Sequence, residues 1–352
     1  PSLDDFRQQG FPDTQREEWR YTNLVSLLER THEFVTTAVH LEGADQAGVT
    51  ALDFATDPGL SQLSGLDELV DRKSHPLAAL NGALLSAGVS LSVARGAQLM
   101  EAINVTLPPL ARGTAHAARV LVRVGENASA KLHIGEAPSD ETCWRNDVVE
   151  VFLERGAQLE LVFHKSGGAA ATSLLAIRQE RDSHLSSHAV TLEGRLTRQD
   201  LAVTLAGEGA SCRLRGLFGT TEGGVCDHHS VVDHAVPHCT SDQLYKGVVA
   251  GDGRGVFRGR VVVRPDAQKT EALQSNPNLL LDGRAEVDTK PQLEIYADDV
   301  RCTHGATIGQ LDREALFYLR ARGIGAPQAL SLIHISEPTR RRLESRFAAC
   351  AG

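Results

Sequence analysis

The sequence predicts a mainly β chain with helical ends, and within that class a β-solenoid ahead of a sandwich or a barrel. Three observations lead there. Between about Val89 and Ile308, short runs alternate apolar and polar residues, as in Val120–Val124, Lys131–Ile134, Val148–Leu153, Gln158–Phe163, Leu201–Leu205, Ser211–Arg215, Val256–Val263 and Gln292–Tyr296, and glycine turns separate them. That period of two marks strands with one buried face. A phrase also recurs, Arg95-Gly96-Ala97-Gln98-Leu99 and Arg155-Gly156-Ala157-Gln158-Leu159, with looser versions at 125–130 and 207–214. A repeated strand–turn–strand unit is the signature of coils stacked one on the next. Aromatic residues are only 5% of the 352, which suits a narrow aliphatic interior.

The remaining elements follow in order. Asp13-Thr14 precede a helical period over Arg16–Leu28 that carries Trp19, Leu24, Leu27 and Leu28; further helices are expected over Leu66–Arg72 and Pro76–Leu85. After the strands, Asp312 is placed to cap a helix over Arg313–Arg322, Gly323 sits where a C′ glycine belongs, and Pro327 opens a second helix. The expected organisation is a helical N-terminal domain over 1–88, a β core over 89–308 and a helical C-terminal segment over 309–352.

Composition narrows the function. A formal charge of −9 argues against a broad basic face for nucleic acid. The six cysteines are scattered and form no CxxC pair, which fits a reducing cytoplasm better than a disulfide scaffold. No signal peptide is read at the N-terminus. The uncharged stretch Ser74–Ala94 is interrupted by Pro76, Asn81, Gly82 and Gly88, so no membrane span is expected.

Candidate chemistry is sparse. There is no GxxxxGK[ST], so no nucleotide site is expected on this chain; GxSxG and HExxH are also absent. The glycine run Gly247–Gly259 reads as strand–turn–strand with Asp252-Gly253 in the turn. Cys226–Cys239 is dense in metal-capable side chains. Cys226, His228, His234 and His238 share parity in an extended chain, although no zinc-finger spacing is present. The bland alternative, histidines on an exposed or subunit-facing side of a sheet, is favoured. Cys302 and His304 fall on one face of a strand, roughly 7 Å apart. A thiolate and an imidazole suit iron, an iron–sulfur cluster or zinc, but two ligands do not close a site.

Arg16–Leu24 (REEWRYTNL), Asp242–Val263 (DQLYKGVVAGDGRGVFRGRVVV) and above all Leu273–Ile324, with Ile295-Tyr296-Ala297-Asp298-Asp299-Val300 and Cys302-Thr303-His304-Gly305, resemble the SufB/SufD family of iron–sulfur cluster assembly proteins, in its SufD form. The resemblance covers about Arg16 to Ile324. It implies a right-handed parallel β-helix between helical ends. It implies a scaffold that is not an enzyme, pairs with SufB through the β-helix and binds the SufC ATPase through its C-terminal part; the open edge coils of a β-helix also leave room for a homodimer when SufB is absent. It also implies that His304, with Cys302 in support, is a ligand for iron or a nascent cluster at the SufB interface.

One stretch departs from the family pattern. Ser331–Arg340 (SLIHISEPTR) replaces a long amphipathic helix and resembles a translated adapter. On that reading residues after about 330 are not native, and part of the SufC-binding region is missing. Three alternatives stand beside the SufD form, one of them metal storage or zinc binding through the His228–His238 cluster. A SufB-like primary scaffold is disfavoured by the Cys302-Thr303-His304 form. A carbohydrate-active enzyme on a β-helix needs paired carboxylates, whereas the adjacent Asp298 and Asp299 face opposite sides of a strand.

Overall fold

The computed structural model describes residues 2–54, 65–85, 87–192, 194–310, 313–325 and 328. Before the main body come α1 (Ser2–Gln9), α2 (Val25–Leu28), β1 (Glu33–Phe34), β2 (His40–Glu42), β3 (Val49–Asp53) and α3 (Pro76–Leu84). The body is built from β4 (Ala87–Val93), β5 (Gln98–Leu107), β6 (Thr114–His116), β7 (Ala118–Val124), β8 (Ser129–Glu136), β9 (Trp144–Leu153), β10 (Gln158–Ser166), β11 (Ala170–Gln179) and β12 (His184–Leu192). It continues with β13 (Leu196–Leu205), β14 (Ser211–Thr220), β15 (Val225–His234), β16 (Thr240–Val249), β17 (Arg254–Val263), β18 (Glu271–Leu280), β19 (Glu286–Ile295) and β20 (Arg301–Gln310), then α4 (Arg313–Ala321).

Successive strands alternate between two sheets. One runs β19-β17-β15-β13-β11-β9-β7-β4-β3 and the other β2-β5-β8-β10-β12-β14-β16-β18-β20. From β4 and β5 onward every neighbour is parallel, so each pair of strands is one coil of a β-solenoid of about eight turns. At the N-terminal end β3 pairs antiparallel with β4, and β2 pairs antiparallel with β5. At the other end β19 and β20 have no strand beyond them among the described residues.

The recurring phrase has a backbone cause. Gly96, Asn127, Gly156, Asp182, Gly209, His238 and Lys269 occupy the same corner of successive coils, all with φ between 55° and 76°. That left-handed conformation favours glycine, then asparagine and aspartate. The corner amides stack: Asn127 N–H donates to Arg155 O at 2.9 Å, Gly156 to Arg181 O at 2.8 Å and His238 to Gln268 O at 2.9 Å. Ala128, Ala157, Ser183, Ala210, Cys239 or Thr270 follows, each a small residue buried under the turn. The phrase weakens along the sequence because the conformation is kept while the residue that adopts it changes.

The interior also changes character. In the middle coils Val149, Leu175 and Leu201 are in register, as are Val151, Ile177 and Val203, giving continuous aliphatic ladders. Beyond them, Leu201 is followed in register by Ser230, and Leu214 by Gln243 and Gln274. Phe218, His228, Tyr245 and Phe257 form a chain of ring contacts 5.1–5.5 Å apart.

Two expected helices are corrected. Arg16–Leu28 is not continuous: Glu17–Trp19 is a 3₁₀ turn and α2 covers only Val25–Leu28. The Arg198 guanidinium lies 3.8 Å from the centre of the Trp19 ring, and the Thr22 hydroxyl donates to Asp227. These contacts with the sheet override local helical preference. Leu66–Arg72 forms turns. Asp67 has φ +62°, and the amides of Asp67 and Leu69 donate to the buried Glu150 carboxylate at 2.9 and 3.0 Å, so they are not free for a helical ladder. The helix at Pro76 and the one at Arg313 are present. The Asp312 cap, the helix expected from Pro327 and the stretch Ser331–Arg340 lie outside the described residues.

Candidate functional site

β20 is the last strand of its sheet, paired on one side only with β18. In that register Cys302 is opposite Ala272 and His304 opposite Gln274. Ala272 and Gln274 are both buried in the interior. Cys302 and His304 therefore hold interior-facing positions on a coil that no further strand covers among the described residues, and residues that would be core elsewhere are open here. Ile295, at the matching end of β19, is 41% exposed and Ile308 is 50% exposed.

Cys302 is half-buried. It packs against the small apolar cluster of Val261, Val263, Ala267, Ala272 and Ala297. Burial pushes its thiol above the ordinary cysteine value, partly offset by a hydrogen bond with the Ala272 backbone. Burial therefore favours the neutral thiol over the thiolate at Cys302. His304 is exposed. Asp299, just before the strand, is held in an ion pair by Lys269. Among the described residues, no group of three or more His, Cys, Asp or Glu is placed to hold a metal ion. Two ligand types at an open edge are what this chain supplies.

The second candidate set is dispersed. Cys226, His228 and His234 do share a face of β15, but that face is the interior. This corrects the expectation of histidines on an exposed or subunit-facing side. Cys226 is fully buried and its thiol is pushed far up by burial. His228 lies between the rings of Phe218 and Tyr245, and burial pushes it down to about 4, against the opposing charge of Asp227. His234 meets the Ser241 hydroxyl at 2.9 Å and is likewise lowered by burial to about 4. His238 falls outside the strand: it is an exposed corner residue with φ +59°, 3.9 Å from Glu208. Parity failed there because β15 ends at His234, and Cys239 is simply the small residue under the turn.

The sequence reading missed one constellation. Under the N-terminal segment, Arg198 donates to Asp200 at 2.9 and 3.0 Å, to Asp227 at 3.0 Å and to the Glu18 carbonyl at 2.6 Å. Glu17 reaches further, pairing with Arg258 and Lys290. The quoted run Arg16–Leu24 was its only signal, since its partners lie some 180 or more positions away. An open groove of about 590 Å³ crosses the outer face of the β8–β18 sheet, lined by Lys131, Glu160, Arg213 and Asp242 among others and by no aromatic ring. Asp242 there is already paired with Arg215.

Comparison with known proteins gives a consistent picture. Residues 109–336 match the family model described as the SUF system FeS cluster assembly SufBD core domain. The chain is 44% identical to the iron–sulfur cluster assembly protein SufD of Escherichia coli over 152 residues, which is 43% of this chain and 36% of that protein. It is 34% identical to a SufBD family protein of Synechocystis over 226 residues, 61% of this chain and 50% of that one. A SufBD family protein of Mycobacterium leprae is 30% identical over 334 residues, 92% of this chain and 83% of its relative. The matched regions thus span between about a third and a half of the first two relatives.

Proposed function

The chain belongs to the SufBD core family of SUF-system iron–sulfur cluster assembly proteins, and from that premise we propose that it is a SufD-type scaffold subunit. It joins SufB through the uncovered coil of β19 and β20, and at that junction His304 and Cys302 contribute ligands to iron or a nascent cluster, the cargo of the assembly. The scaffold is not itself an enzyme, binds no nucleotide, and works in the cytoplasm. SufC docks on the segment after β20.

One observation carries the reading. The two residues sit at interior positions of an edge strand with no strand on its other side among the described residues. An unpaired parallel edge offers a row of backbone donors and acceptors to another strand, and a partner that pairs there brings its own side chains to face His304. The incomplete ligand set fits a site completed by two chains. His304 is exposed at the edge whereas Cys302 is half-buried against an apolar cluster, so the histidine is the leading ligand and the cysteine the auxiliary one. For SufC the support is α4, where Phe317 is 74% and Tyr318 56% exposed. Among the described residues no helix is long and apolar enough to cross a membrane.

The test is co-expression with SufB and SufC from the same source, with affinity recovery through a tag on this chain, followed by cluster yield in the recovered complex. Wild-type recovers both partners, and His304→Ala recovers them with a several-fold lower cluster yield. Recovery of neither partner, or an unchanged yield in the variant, overturns the reading.

A further inference from the structure

The interior row that ends at His304 runs Leu161, Ser187, Leu214 and then carries long polar side chains over the last three coils: Gln243, Gln274 and His304 are successive in register. The amides are oriented in one direction. Gln243 Nε2 donates to Ser230 Oγ, and Gln274 Nε2 donates to Gln243 Oε1 at 2.7 Å. Gln274 Oε1 is left with no partner although the residue is only 4% exposed. Its neighbours on β18 are satisfied: Asn276 donates to Tyr245 O at 2.9 Å and accepts from Thr289 at 2.7 Å, and Asn278 donates to Asn276 Oδ1 at 2.7 Å. Space for the Gln274 amide depends on Gly259, where a Cβ would come within 2.3 Å of Gln274 Nε2. With its nitrogen turned inward to Gln243, the amide leaves its oxygen for the coil outside. There His304 stands in register, one strand spacing of about 4.8 Å away.

A buried, unpaired amide oxygen is unfavourable, and a ligand histidine commonly donates its second ring N–H to such an acceptor. We propose that Gln274 is a positioning residue: it accepts a hydrogen bond from one ring nitrogen of His304 and fixes the tautomer in which the other ring nitrogen presents its lone pair at the open end. The chain Ser230–Gln243–Gln274 holds the acceptor in place, since rotating the Gln274 amide would break its bond to Gln243. The inference rests on the reading of His304 as a ligand but concerns a property of the metal-free chain.

The experiment is nitrogen-15 NMR of the full chain with labelled histidine, at about pH 8 where imidazole is neutral, His304 being assigned by its loss in His304→Asn. One such hydrogen bond biases the two tautomers about tenfold. Wild-type is expected to show one tautomer in about that excess, and Gln274→Leu to bring the two to comparable populations. Equal tautomer ratios in wild-type and Gln274→Leu would overturn the proposal. If Gln274→Leu does not fold, Gly259→Ala displaces the same amide and must also shift the ratio. A tautomer bias lost in Gln274→Leu, beside a cluster yield indifferent to His304→Ala, would keep the hydrogen bond and reject the ligand role. A yield that depends on His304 with no bias to lose would do the reverse.

Discussion

Arg198→Met tests how the N-terminal segment is fastened to the solenoid. Arg198 and Asp227 are 2% and 1% exposed, and Asp200 is 18% exposed in its side chain. Removing the guanidinium strands two carboxylates at the sheet surface, uncovers the Glu18 carbonyl and takes the cation from beneath Trp19. Breaking a buried ion pair by deleting one partner costs about 3–5 kcal/mol, a large share of the roughly 5–15 kcal/mol that holds a typical domain. The cost should also depend on pH. Burial raises Asp227 and Asp200, but the charges of Arg198 and His229 outweigh it and hold both carboxyls below the usual range. Their stabilisation is therefore complete above the unfolded carboxylate value of about 3.9 and is lost as pH falls through the lower folded values. Chemical denaturation of wild-type, Arg198→Met, Asp227→Asn and the double variant measures the coupling, and hydrogen exchange at Glu17–Thr22 locates it. We expect a loss of about 3–5 kcal/mol at neutral pH, a coupling of about 2 kcal/mol or more, and convergence of variant and wild-type in acid. A loss under about 1 kcal/mol, or strict additivity of the two changes, would refute the network as the fastening.

Three further outcomes are expected. Gly216→Ala places a Cβ 2.1 Å from Tyr245 Cδ1, so chemical denaturation should show a loss of about 1–3 kcal/mol or more; no loss would mean that the interior aromatic chain is packed otherwise. Because burial lowers His228 and His234 to about 4, the unfolded chain takes up their protons first as pH falls. Stability is then full above about 6.5 and declines toward pH 4, with a slope of at most about 1.4 kcal/mol per pH unit for each histidine. His228→Phe should flatten that slope in pH-dependent denaturation, and an unaltered slope would count against it. Cys302 is half-buried whereas Cys143, Cys212, Cys226 and Cys239 are buried, so in a Cys350→Ser background an aromatic disulfide reagent should label the native chain first at Cys302. Labelling that begins at one of the other four would contradict the placement of β20.

Much of the fold was readable because it is periodic. Alternation located the strands from Val120 to Ile295, and Gly96 and Gly156 announced the corner. The corner was harder to follow where Asn127, Asp182, His238 and Lys269 adopt the same φ, since backbone conformation is conserved there and residue type is not. That substitution placed His238 in one parity set with Cys226, His228 and His234, although it is a corner residue beyond the end of β15. Arg16–Leu28 misled in the opposite way: its apolar spacing fits a helix, but Trp19 and Thr22 are committed to Arg198 and Asp227, which local pattern cannot see. Cys302 and His304 were visible as a pair on one strand face. Their position at the end of the solenoid was not, because that depends on how many coils precede them, and neither was Gln274, whose relation to His304 exists only through the stacking register.

The two ends of the solenoid differ in strand direction, and that limits how many copies can be joined. A stack that grew head to tail would need the leading edge of one molecule to continue the parallel ladder of the next. Here β2 and β3 run against the ladder, so a second solenoid added there could not continue it in the parallel direction. Among the described residues, the β19–β20 edge is the end whose last strands run with the ladder. An object with one sticky end makes pairs and then stops, whether the second member is another protein or its own copy, whereas an object with two such ends makes fibres. The short antiparallel strands at the start of the chain thus interrupt the parallel ladder at one end, while the other end keeps its direction.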